Sequence, residues 1–458
     1  MAGNILEEIY EVFRQCGGKV TTDTRSNGDG ALFFALRGQR FDGNRFAEKA
    51  LASGSCAVVI DDSACYKPDG RHFLVDNALY TLQSLATKHR QVLSDTLKIL
   101  AVTGTNGKTT TKELIKAVLR EKFGEGCLAT EGNLNNEIGV PLTLLGAKKE
   151  TSVLVLEMGA NHPGEIARLS TIAQPNCGLI TNVGRAHLEG FGTREKVFQT
   201  KKELFDNLLQ RKESFAFVNE DDRELLKSAE GLKKITYGTK ASASVTGKML
   251  SCNPYLVFEW CTYTIETHIV GGYNLYNALA AVAVGQFYGV SREAICRGIA
   301  GYKPSNNRSQ LQETGRNILF IDAYNANPDS MNASLRNFST VCAAHKAVIL
   351  GDMLELGHAS VDLHAEIVEL LRSCYFEKVY LCGKEFFKLA DGFSSVKDFF
   401  SQTTTYPLHG GKRQQTSVSF FQVTEELIHE LRENPIEGYH ILIKGSRGMS
   451  LEKVVAFL

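Results

Sequence analysis

The chain has 458 residues, of which 43% are hydrophobic and 22% are charged, and its 51 lysines and arginines balance its 51 aspartates and glutamates. This length exceeds what one hydrophobic core usually serves, and the balanced charge excludes bulk affinity for nucleic acid. The sequence lacks both the apolar run of about 20 residues that a membrane span needs and a signal-peptide core. We therefore expect a cytoplasmic protein of about three domains with no membrane or nucleic-acid partner.

The 11 cysteines are scattered along the chain and include no C-x-x-C pair. Several of them, such as Cys56, Cys177 and Cys382, lie in apolar runs that are typical of strands. We predict that they are reduced core residues, and we expect neither a disulfide framework nor a zinc site.

The first 95 residues read as a small α/β domain. An amphipathic helix is predicted over 5–16, and short strands such as 31–36 and 56–60 alternate with helical stretches. Polar residues lie just before the strand at 31–36, at Thr24 and Arg25, and just after it, at 37–43. Loops at strand ends commonly carry ligands, although these residues alone fit a solvated turn better.

The segment 99–111, ILAVTGTNGKTTT, predicts a strand, a phosphate loop and the start of a helix. Gly104 and Gly107 let backbone N–H groups turn toward an anion, and Lys108 adds a positive charge. Thr109 offers an oxygen to Mg²⁺. Val102 stands where the usual Walker spacing has glycine, so the motif has the shorter G-x-x-G-K-T-T form. The predicted contacts of a nucleoside triphosphate are Gly104, Thr105, Asn106, Gly107, Lys108, Thr109 and Thr110.

Two further polar residues follow buried strands of the same predicted parallel sheet. The apolar run at 152–157 ends on Glu157, and the loop after the run at 177–183 contains His187. Because the carboxyl ends of parallel strands meet at one edge of a sheet, both should lie near the phosphate loop. Oxygen ligands with an occasional imidazole are suitable for Mg²⁺, so this edge is a predicted metal shell.

The helix predicted over 194–210 carries an unusual lysine. Its apolar residues form one stripe at about 100° per residue, and Lys201 falls at the centre of that stripe. Lys202 lies near the edge of the stripe and can reach water. An inward lysine is costly unless its pKa falls or the amine is modified. The alternative is a lysine that snorkels to the surface.

The remaining sequence predicts a hairpin, a linker and a third series of strands. Alternating residues at 242–270 indicate an antiparallel hairpin appended to the parallel sheet, and 274–287 reads as an Ala-rich helix in which Asn277 could face a base. The segment 303–309 has the composition of a linker. Strands predicted at 318–322, 346–350, 378–382, 396–400 and 440–444 alternate with helices in a Rossmann-like layout without G-x-G-x-x-G.

These motifs together resemble the ATP-dependent Mur ligases, a family that forms amide bonds on peptidoglycan precursors. The runs that carry the resemblance are the phosphate loop, DAYNANPDSM at 322–331, LGDMLELG at 350–357, NLNNEIGVP at 133–141 and, nearer the N-terminus, DTR at 23–25, LFFALRG at 32–38 and FDG at 41–43. The resemblance is strongest to members that add D-alanyl-D-alanine to UDP-N-acetylmuramoyl-tripeptide. It implies an α/β fold of three domains. These are a UDP-substrate domain at 1–95, a central P-loop parallel-sheet domain with its hairpin at 96–303, and a Rossmann-like domain at 304–458.

The resemblance also implies a reaction centre. Lys108 would hold the β and γ phosphates of ATP, and Thr109 and Glu157 would ligate one Mg²⁺. His187 would help to hold a second Mg²⁺. The family carbamylates the lysine of a K-x-x-[LI]-[FY] motif with CO₂, and Lys201 occupies that position, so its carbamate would be a further metal ligand. The implied cofactors are ATP, two Mg²⁺ ions and CO₂ as the lysine carbamate.

Other roles follow by position in the family motifs. Asn277, Arg308 and Asp322 correspond to contacts with adenine, phosphate and ribose, and Tyr324 and Asn327 would complete that pocket. Asn136 is a candidate for holding the peptide near the phosphates. Asn44 departs from the family, which often has histidine there. The residues implied in binding the uridine diphosphate end are Thr24, Arg25, Arg37, Gly38, Phe41 and Asp42.

Two alternatives stay open at this stage. One is another family member, such as the ligase that adds the third peptide residue or a folylpolyglutamate synthase, although the run at 351–357 disfavours both. The other is a P-loop switch that binds nucleotide to control a partner. The sequence does not determine whether the tripeptide ends in lysine or diaminopimelate. We expect a monomer in which ATP draws the third domain onto the second.

Overall fold

The computed structural model describes residues 2–25, 29–38, 41–305, 308–392 and 416–458, which form three sheets. The strand predicted at 396–400 lies outside these residues. None of the described helices is long and apolar enough to cross a membrane. The strands are β1 (Val20–Thr21), β2 (Leu32–Phe34), β3 (Ala57–Ile60), β4 (His72–Leu74), β5 (Lys98–Thr103), β6 (Cys127–Ala129), β7 (Val153–Glu157), β8 (Cys177–Ile180), β9 (Phe215–Asn219), β10 (Lys233–Gly238), β11 (Val245–Cys252), β12 (Tyr255–Trp260), β13 (Tyr263–Val270), β14 (Gln310–Glu313), β15 (Ile318–Asp322), β16 (Lys346–Gly351), β17 (Lys378–Cys382), β18 (Ser417–Phe421) and β19 (His440–Lys444).

Helices connect most of the strands. Each buries an apolar face, as parallel strands with crossover helices require. The helices are α1 (Ala2–Gln15), α2 (Ala47–Ala52), α3 (Ala78–Val92), α4 (Lys108–Phe123), α5 (Gly139–Leu145), α6 (Glu165–Ala173), α7 (Leu188–Phe191), α8 (Arg194–Leu209), α9 (Arg223–Ser228), α10 (Asn274–Phe287), α11 (Arg292–Gly301), α12 (Pro328–Ser339), α13 (Ser360–Ser373), α14 (Lys384–Gly392) and α15 (Thr424–Glu433).

The N-terminal sheet is parallel, with the strand order β1-β2-β3-β4. Helices α1 and α3 bury Phe13 and Leu85 against it in one apolar cluster. The prediction that the cysteines are all reduced was wrong for one pair, because a disulfide joins Cys16 to Cys56 with a Cα–Cα distance of 6.8 Å. Packing of α1 on the sheet brings the end of the helix beside the start of β3, across a separation of 40 residues that local patterns do not reveal.

The central sheet has nine strands in the order β13-β12-β11-β10-β9-β8-β5-β7-β6. Pairing is parallel from β6 to β11, and β11, β12 and β13 continue it as an antiparallel meander. The appended antiparallel structure is therefore confirmed. Strand β5, which leads into the phosphate loop, lies between β7 and β8, so the residues that follow these three strands meet at one edge.

The third sheet has the order β14-β15-β19-β16-β17-β18 and is parallel except for the edge strand β14. The strands predicted at 318–322, 346–350, 378–382 and 440–444 are confirmed. Strands β14 and β18 escaped prediction because both are edge strands with only partly buried side chains, which weakens their hydrophobic pattern. The domain boundaries near 95 and 303 stay predictions.

Candidate active site

A cavity of about 800 Å³ lies between the carboxyl edge of the central sheet and the third sheet. The predicted substrate residues of the N-terminal region, together with Gly104 and Lys201, are not part of its lining. Predicted site residues from both sheets are brought together there. Those lining it are Thr105, Asn106, Gly107, Lys108, Thr109, Thr110, Asn136, Glu157, His187, Asn277, Arg308, Asp322, Tyr324 and Asn327.

The phosphate loop has the backbone of an anion site. Gly104 and Gly107 have φ of 143° and 80°, conformations that side chains disfavour, and helix α4 begins directly after Gly107. The Lys108 Nζ donates to the carbonyl oxygens of Gly104 at 2.7 Å and Thr105 at 2.9 Å. Burial lowers the pKa of Lys108 to about 8, Glu157 opposes that shift, and Arg308 adds to it. A phosphate anion would stabilise the charged amine.

The residues that follow β8 form hydrogen bonds to the backbone of the phosphate loop. The Asn182 side-chain oxygen accepts the Asn106 N–H at 2.9 Å, and the Thr181 hydroxyl donates to the Asn106 carbonyl at 2.6 Å. Sequence reasoning missed both residues because it extended the strand to 183, whereas β8 ends at Ile180. Their position directly after a buried strand was the signal that could have identified them.

Replacing Gly104 by alanine should weaken nucleotide binding. A Cβ there would lie 2.0 Å from the Thr181 hydroxyl oxygen, and the residue would keep a positive φ. Strain of this kind costs on the order of 1–3 kcal/mol, or about 5- to 150-fold in Kd if the loop must restore its shape to bind. Isothermal titration with ADP measures the change. Gly124→Ala is the control, since Gly124 also has a positive φ but no atom lies within 4 Å of an added Cβ. Equal ADP affinities of the two variants would contradict the prediction.

Glu157 is a buried carboxylate with neutral partners. Only 2% of it is exposed, and its two oxygens accept hydrogen bonds from the Thr109 hydroxyl and the Asn135 amide, both at 2.9 Å. It makes no ion pair within the described part of the chain. A buried carboxylate that forms no ion pair among the described residues, beside a hydroxyl, is a donor set that suits a divalent cation. Asn135 was missed, although its run was one of those that carry the family resemblance.

His187 faces a carboxylate of the third sheet. It has a φ of 52° just before α7, and its Nδ1 contacts Oε2 of Glu355. The same histidine lines the cavity that Glu157 lines. Sequence reasoning did not single out Glu355, which belongs to the GDMLELG run but whose contact with His187 joins two different sheets.

Lys201 points inward, as the helical stripe predicted. It is 2% exposed on α8, whereas Lys202 is half-buried and pairs with Asp206. Burial, and secondarily the nearby charge of Lys108, lowers the pKa of Lys201 to about 7. Among the described residues its amine makes no hydrogen bond or ion pair and lies 5.6 Å from the ring centre of Phe191. A buried amine with so low a pKa is mostly neutral above about pH 7, where it is a suitable nucleophile for CO₂.

Asn277 supports the phosphate loop from α10. It is buried, accepts from the Thr111 hydroxyl at 3.0 Å and donates to Asn274 at 2.7 Å. A Cβ on Gly107 would lie 2.8 Å from its oxygen, so the amide packs directly against the loop. The structure thus shows Asn277 bracing the loop, and its contact with a base stays a prediction.

The third sheet contributes a cation–π pair and a buried ion pair. The guanidinium of Arg308 lies 3.6 Å from the ring centre of Tyr324. Asp322 accepts from Lys444 at 2.5 Å and from the Ser334 hydroxyl at 3.1 Å. Lys444 is 1% exposed and was not predicted as a site residue, although it is the last residue of the strand predicted at 440–444.

Hydrogen bonds link the phosphate loop directly to the third sheet. The side chains of Asn106 and Asn327 exchange two hydrogen bonds, at 2.7 and 3.3 Å, while Asn327 also caps α12. Arg185 reaches Asp329 at 3.2 Å nearby. The two sheets are therefore in direct contact beside the cavity.

The N-terminal candidates lie in loops with local partners. Arg25 pairs with Asp23, and Arg37 pairs with Asp61. Asn44, which departs from the family pattern, is buried and donates to both Asp42 and Asp61 at 2.8 and 2.9 Å, so it supports the shape of that loop.

Two other predicted substrate residues, Phe41 and Asn136, have no ion-pair partner among the described residues. Phe41 is 59% exposed and is available to a ligand. Asn136, at the cavity, accepts from the backbone of Ile138 and Gly139 and so shapes the turn into α5.

Models of known protein families match this sequence along most of its length. Three family profiles match: "Mur ligase family, catalytic domain" over 19–89, "Mur ligase middle domain" over 102–285 and "Mur ligase, glutamate ligase domain" over 307–447. The UDP-N-acetylmuramoyl-tripeptide–D-alanyl-D-alanine ligase of Bacillus subtilis is 35% identical, covering 95% of this chain and 92% of the relative. That of Escherichia coli is 32% identical, covering 96% and 93%. This chain therefore belongs to the Mur ligase family.

Solved structures point to the same members of the family. MurF from Acinetobacter baumannii superposes with a TM-score of 0.82 at 28% identity, covering 96% of this chain and 92% of that one. MurF from Thermotoga maritima, solved in complex with ADP, has a TM-score of 0.78 at 27% identity and covers 96% of both chains. A folylpolyglutamate synthase from Thermotoga maritima, at 16% identity and a TM-score of 0.57, shares the fold alone.

Proposed function

We propose that this protein is an ATP-dependent ligase that joins D-alanyl-D-alanine to UDP-N-acetylmuramoyl-tripeptide, a cytoplasmic step of peptidoglycan precursor synthesis. The observation that carries the proposal is one cavity in which Lys108 and Glu157 of the central sheet face Asp322 of the third sheet. Relatives named for this reaction match over nearly their whole length, which supports the choice of substrates.

The reaction follows in two displacements. An oxygen of the tripeptide's terminal carboxylate attacks the γ-phosphorus of ATP, the bond from that phosphorus to the β,γ-bridging oxygen breaks, and ADP leaves. The amine of D-alanyl-D-alanine then attacks the acyl carbon of the acyl phosphate, and phosphate leaves as the amine loses a proton. The first step brings two anions together, so Lys108 is placed to offset their repulsion and the loop N–H groups to orient the phosphates.

We propose two Mg²⁺ ions, which would neutralise phosphate charge when bound. Thr109 and Glu157 would hold the first, in keeping with a buried carboxylate whose partners are neutral. His187 and carbamylated Lys201 would hold the second. The carbamate is supported by the burial of the amine, by its lowered pKa and by the lack of an ion pair to it among the described residues.

Substrate and nucleotide contacts complete the proposal. Asn136 holds the peptide end of the substrate near the phosphates. The nucleoside and phosphates of ATP are bound by Asn277, Arg308, Asp322, Tyr324 and Asn327. The uridine diphosphate end binds the N-terminal loops, in which Phe41 offers an exposed ring. The residues proposed for that end are Thr24, Arg25, Arg37, Gly38, Phe41 and Asp42.

Release of ADP tests the function. We expect ADP to form over many turnovers only when UDP-N-acetylmuramoyl-tripeptide and D-alanyl-D-alanine are both present, because the first displacement stops at the acyl phosphate until an amine accepts the acyl group. Coupled spectrophotometric detection of ADP, with mass spectrometry of the pentapeptide product, measures this. ADP release that needs neither substrate would indicate a nucleotide switch instead and would contradict the proposal.

The pKa of Lys201 predicts how carbamylation depends on pH. Only the neutral amine attacks CO₂, and with a pKa of about 7 the amine is mostly neutral above that pH and protonated below it. At constant dissolved CO₂, the carbamate signal in ¹³C NMR should fall about tenfold or more from about pH 8 to about pH 6. Lys201→Ala should lack the signal. A signal that is independent of pH, or that survives in Lys201→Ala, would contradict the assignment.

A further inference from the structure

Glu355 forms two contacts with the segment that carries His187. Its side-chain Oε2 contacts the His187 Nδ1, and its backbone carbonyl accepts the N–H of Glu189 at 3.0 Å. His187 and Glu355 both have positive φ, of 52° and 62°. Such conformations are costly for residues with side chains and persist only where the surroundings enforce them. Two residues with unusual backbone conformations, one following a strand of each sheet, thus contact each other through their side chains beside the cavity.

The loop that carries Glu355 is held rigidly from within the third sheet. Buried Asp352 accepts the N–H groups of Glu385 and Phe386 at 2.9 and 3.0 Å. The buried ring of His364 accepts the Met353 N–H at 3.0 Å, and the Ser446 hydroxyl accepts the Leu354 N–H at 2.9 Å. Glu355 therefore projects from a loop in which the three preceding residues are each held by hydrogen bonds.

The chemistry of the pair determines where the imidazole proton lies. An ionised carboxylate only accepts hydrogen bonds, so the contact requires a proton on Nδ1 of His187. A neutral imidazole with its proton on Nδ1 leaves the Nε2 lone pair free. Histidines that bind metals commonly have this arrangement, in which a carboxylate orients the ring and determines its tautomer. Because His187 lines the cavity proposed to hold the nucleotide, a free Nε2 lone pair would be available to a cation there.

We propose that Glu355 is a positioning residue that holds His187 as the Nδ1–H tautomer, so that docking of the third sheet completes the second cation site. The inference rests on the proposed function for the role of His187 as a ligand. Neither sheet completes the site alone, since the ligand is on one and the group that orients it is on the other. Cation binding and domain docking are then coupled.

The experiment compares Glu355→Ala and Glu355→Gln with Glu366→Gln in the full-length protein. Glu366 pairs with Arg185 across the same two sheets at 2.9 Å but does not touch His187, so it controls for loss of a contact between the sheets. Long-range ¹H–¹⁵N NMR reports the tautomer of His187, whose signal is the one lost in His187→Ala. Titration with Mn²⁺ in the presence of ADP, followed by electron paramagnetic resonance, reports cation affinity.

We expect Glu355→Ala to lose the Nδ1–H tautomer and to bind the second Mn²⁺ about 10- to 100-fold more weakly. Glu355→Gln, whose amide can donate to Nδ1 as well as accept from it, should hold the tautomer less strictly than the carboxylate does. Glu366→Gln should change neither property. The proposal is overturned if the wild-type ring has its proton on Nε2, or if Glu355→Ala leaves the tautomer and the affinity unchanged. If His187→Ala keeps full Mn²⁺ affinity while Glu355→Ala still shifts the tautomer, the metal assignment fails and the positioning role stands.

Discussion

Replacing Lys108 by methionine is expected to reduce kcat by about 10³-fold or more. The amine is the positive charge nearest the loop that would hold the transferred phosphate, and methionine keeps its apolar stem while removing that charge. No other lysine or arginine hydrogen bonds to the loop within the described part of the chain. Steady-state ADP release at saturating ATP measures the loss.

Lys116→Met is the matched control, because Lys116 lies on the same helix and is oriented toward Glu113. It should retain kcat within about twofold. Lys108 also donates to two loop carbonyls, and each lost hydrogen bond costs about 1 kcal/mol, so thermal unfolding should confirm that the variant is folded. A folded Lys108→Met enzyme with kcat within tenfold of wild type would contradict the role of Lys108 in phosphoryl transfer.

Replacing Lys201 by alanine is expected to reduce kcat by about 10²- to 10³-fold, comparable to the loss of one preorganised charged group in an active site. The variant removes the amine that would accept CO₂ and leaves space for a small carboxylate. Added formate or acetate should therefore restore part of the activity, since such an anion can occupy the place of the carbamate. Activity measured against carboxylate concentration tests this.

Lys202→Ala is the control for Lys201, because the two residues are adjacent on α8 and Lys202 pairs with Asp206 at the surface. It should neither lose activity nor respond to carboxylates. If Lys201→Ala turns over normally, the carbamate assignment is wrong. If it is inactive and no carboxylate restores activity, although its unfolding temperature is that of wild type, the amine acts in another way.

The contrast between Lys201 and Glu355 shows what kind of signal the sequence carries. Lys201 was identified because helical periodicity is a local property, and the apolar stripe of one helix defines its buried direction. Glu355 has no comparable signal. Its importance comes from a histidine 168 residues away in the chain, and only the approach of two sheets brings them together.

The same distinction applies to other residues. In the sequence Lys444 is simply the polar end of a predicted strand, yet it is buried and paired with Asp322 because β15 and β19 are neighbours in the sheet. Cys16 and Cys56 were expected to be reduced until the packing of α1 placed them together. Thr181 and Asn182 were assigned to a strand because the apolar pattern does not mark the residue at which pairing stops.

By itself, the sequence determined the phosphate loop, the inward lysine, the alternation of strands and helices, and the polar residues at strand ends. These features depend on neighbours within about one helix or strand, where side-chain periodicity and glycine conformation act directly. The tertiary structure alone decided the strand order, the pairing of Asn106 with Asn327, and the contact of Glu355 with His187. Those features depend on how separate strands and sheets pack. The same apolar faces could be buried in many arrangements of the elements, and specific contacts between residues distant in the chain select one of them.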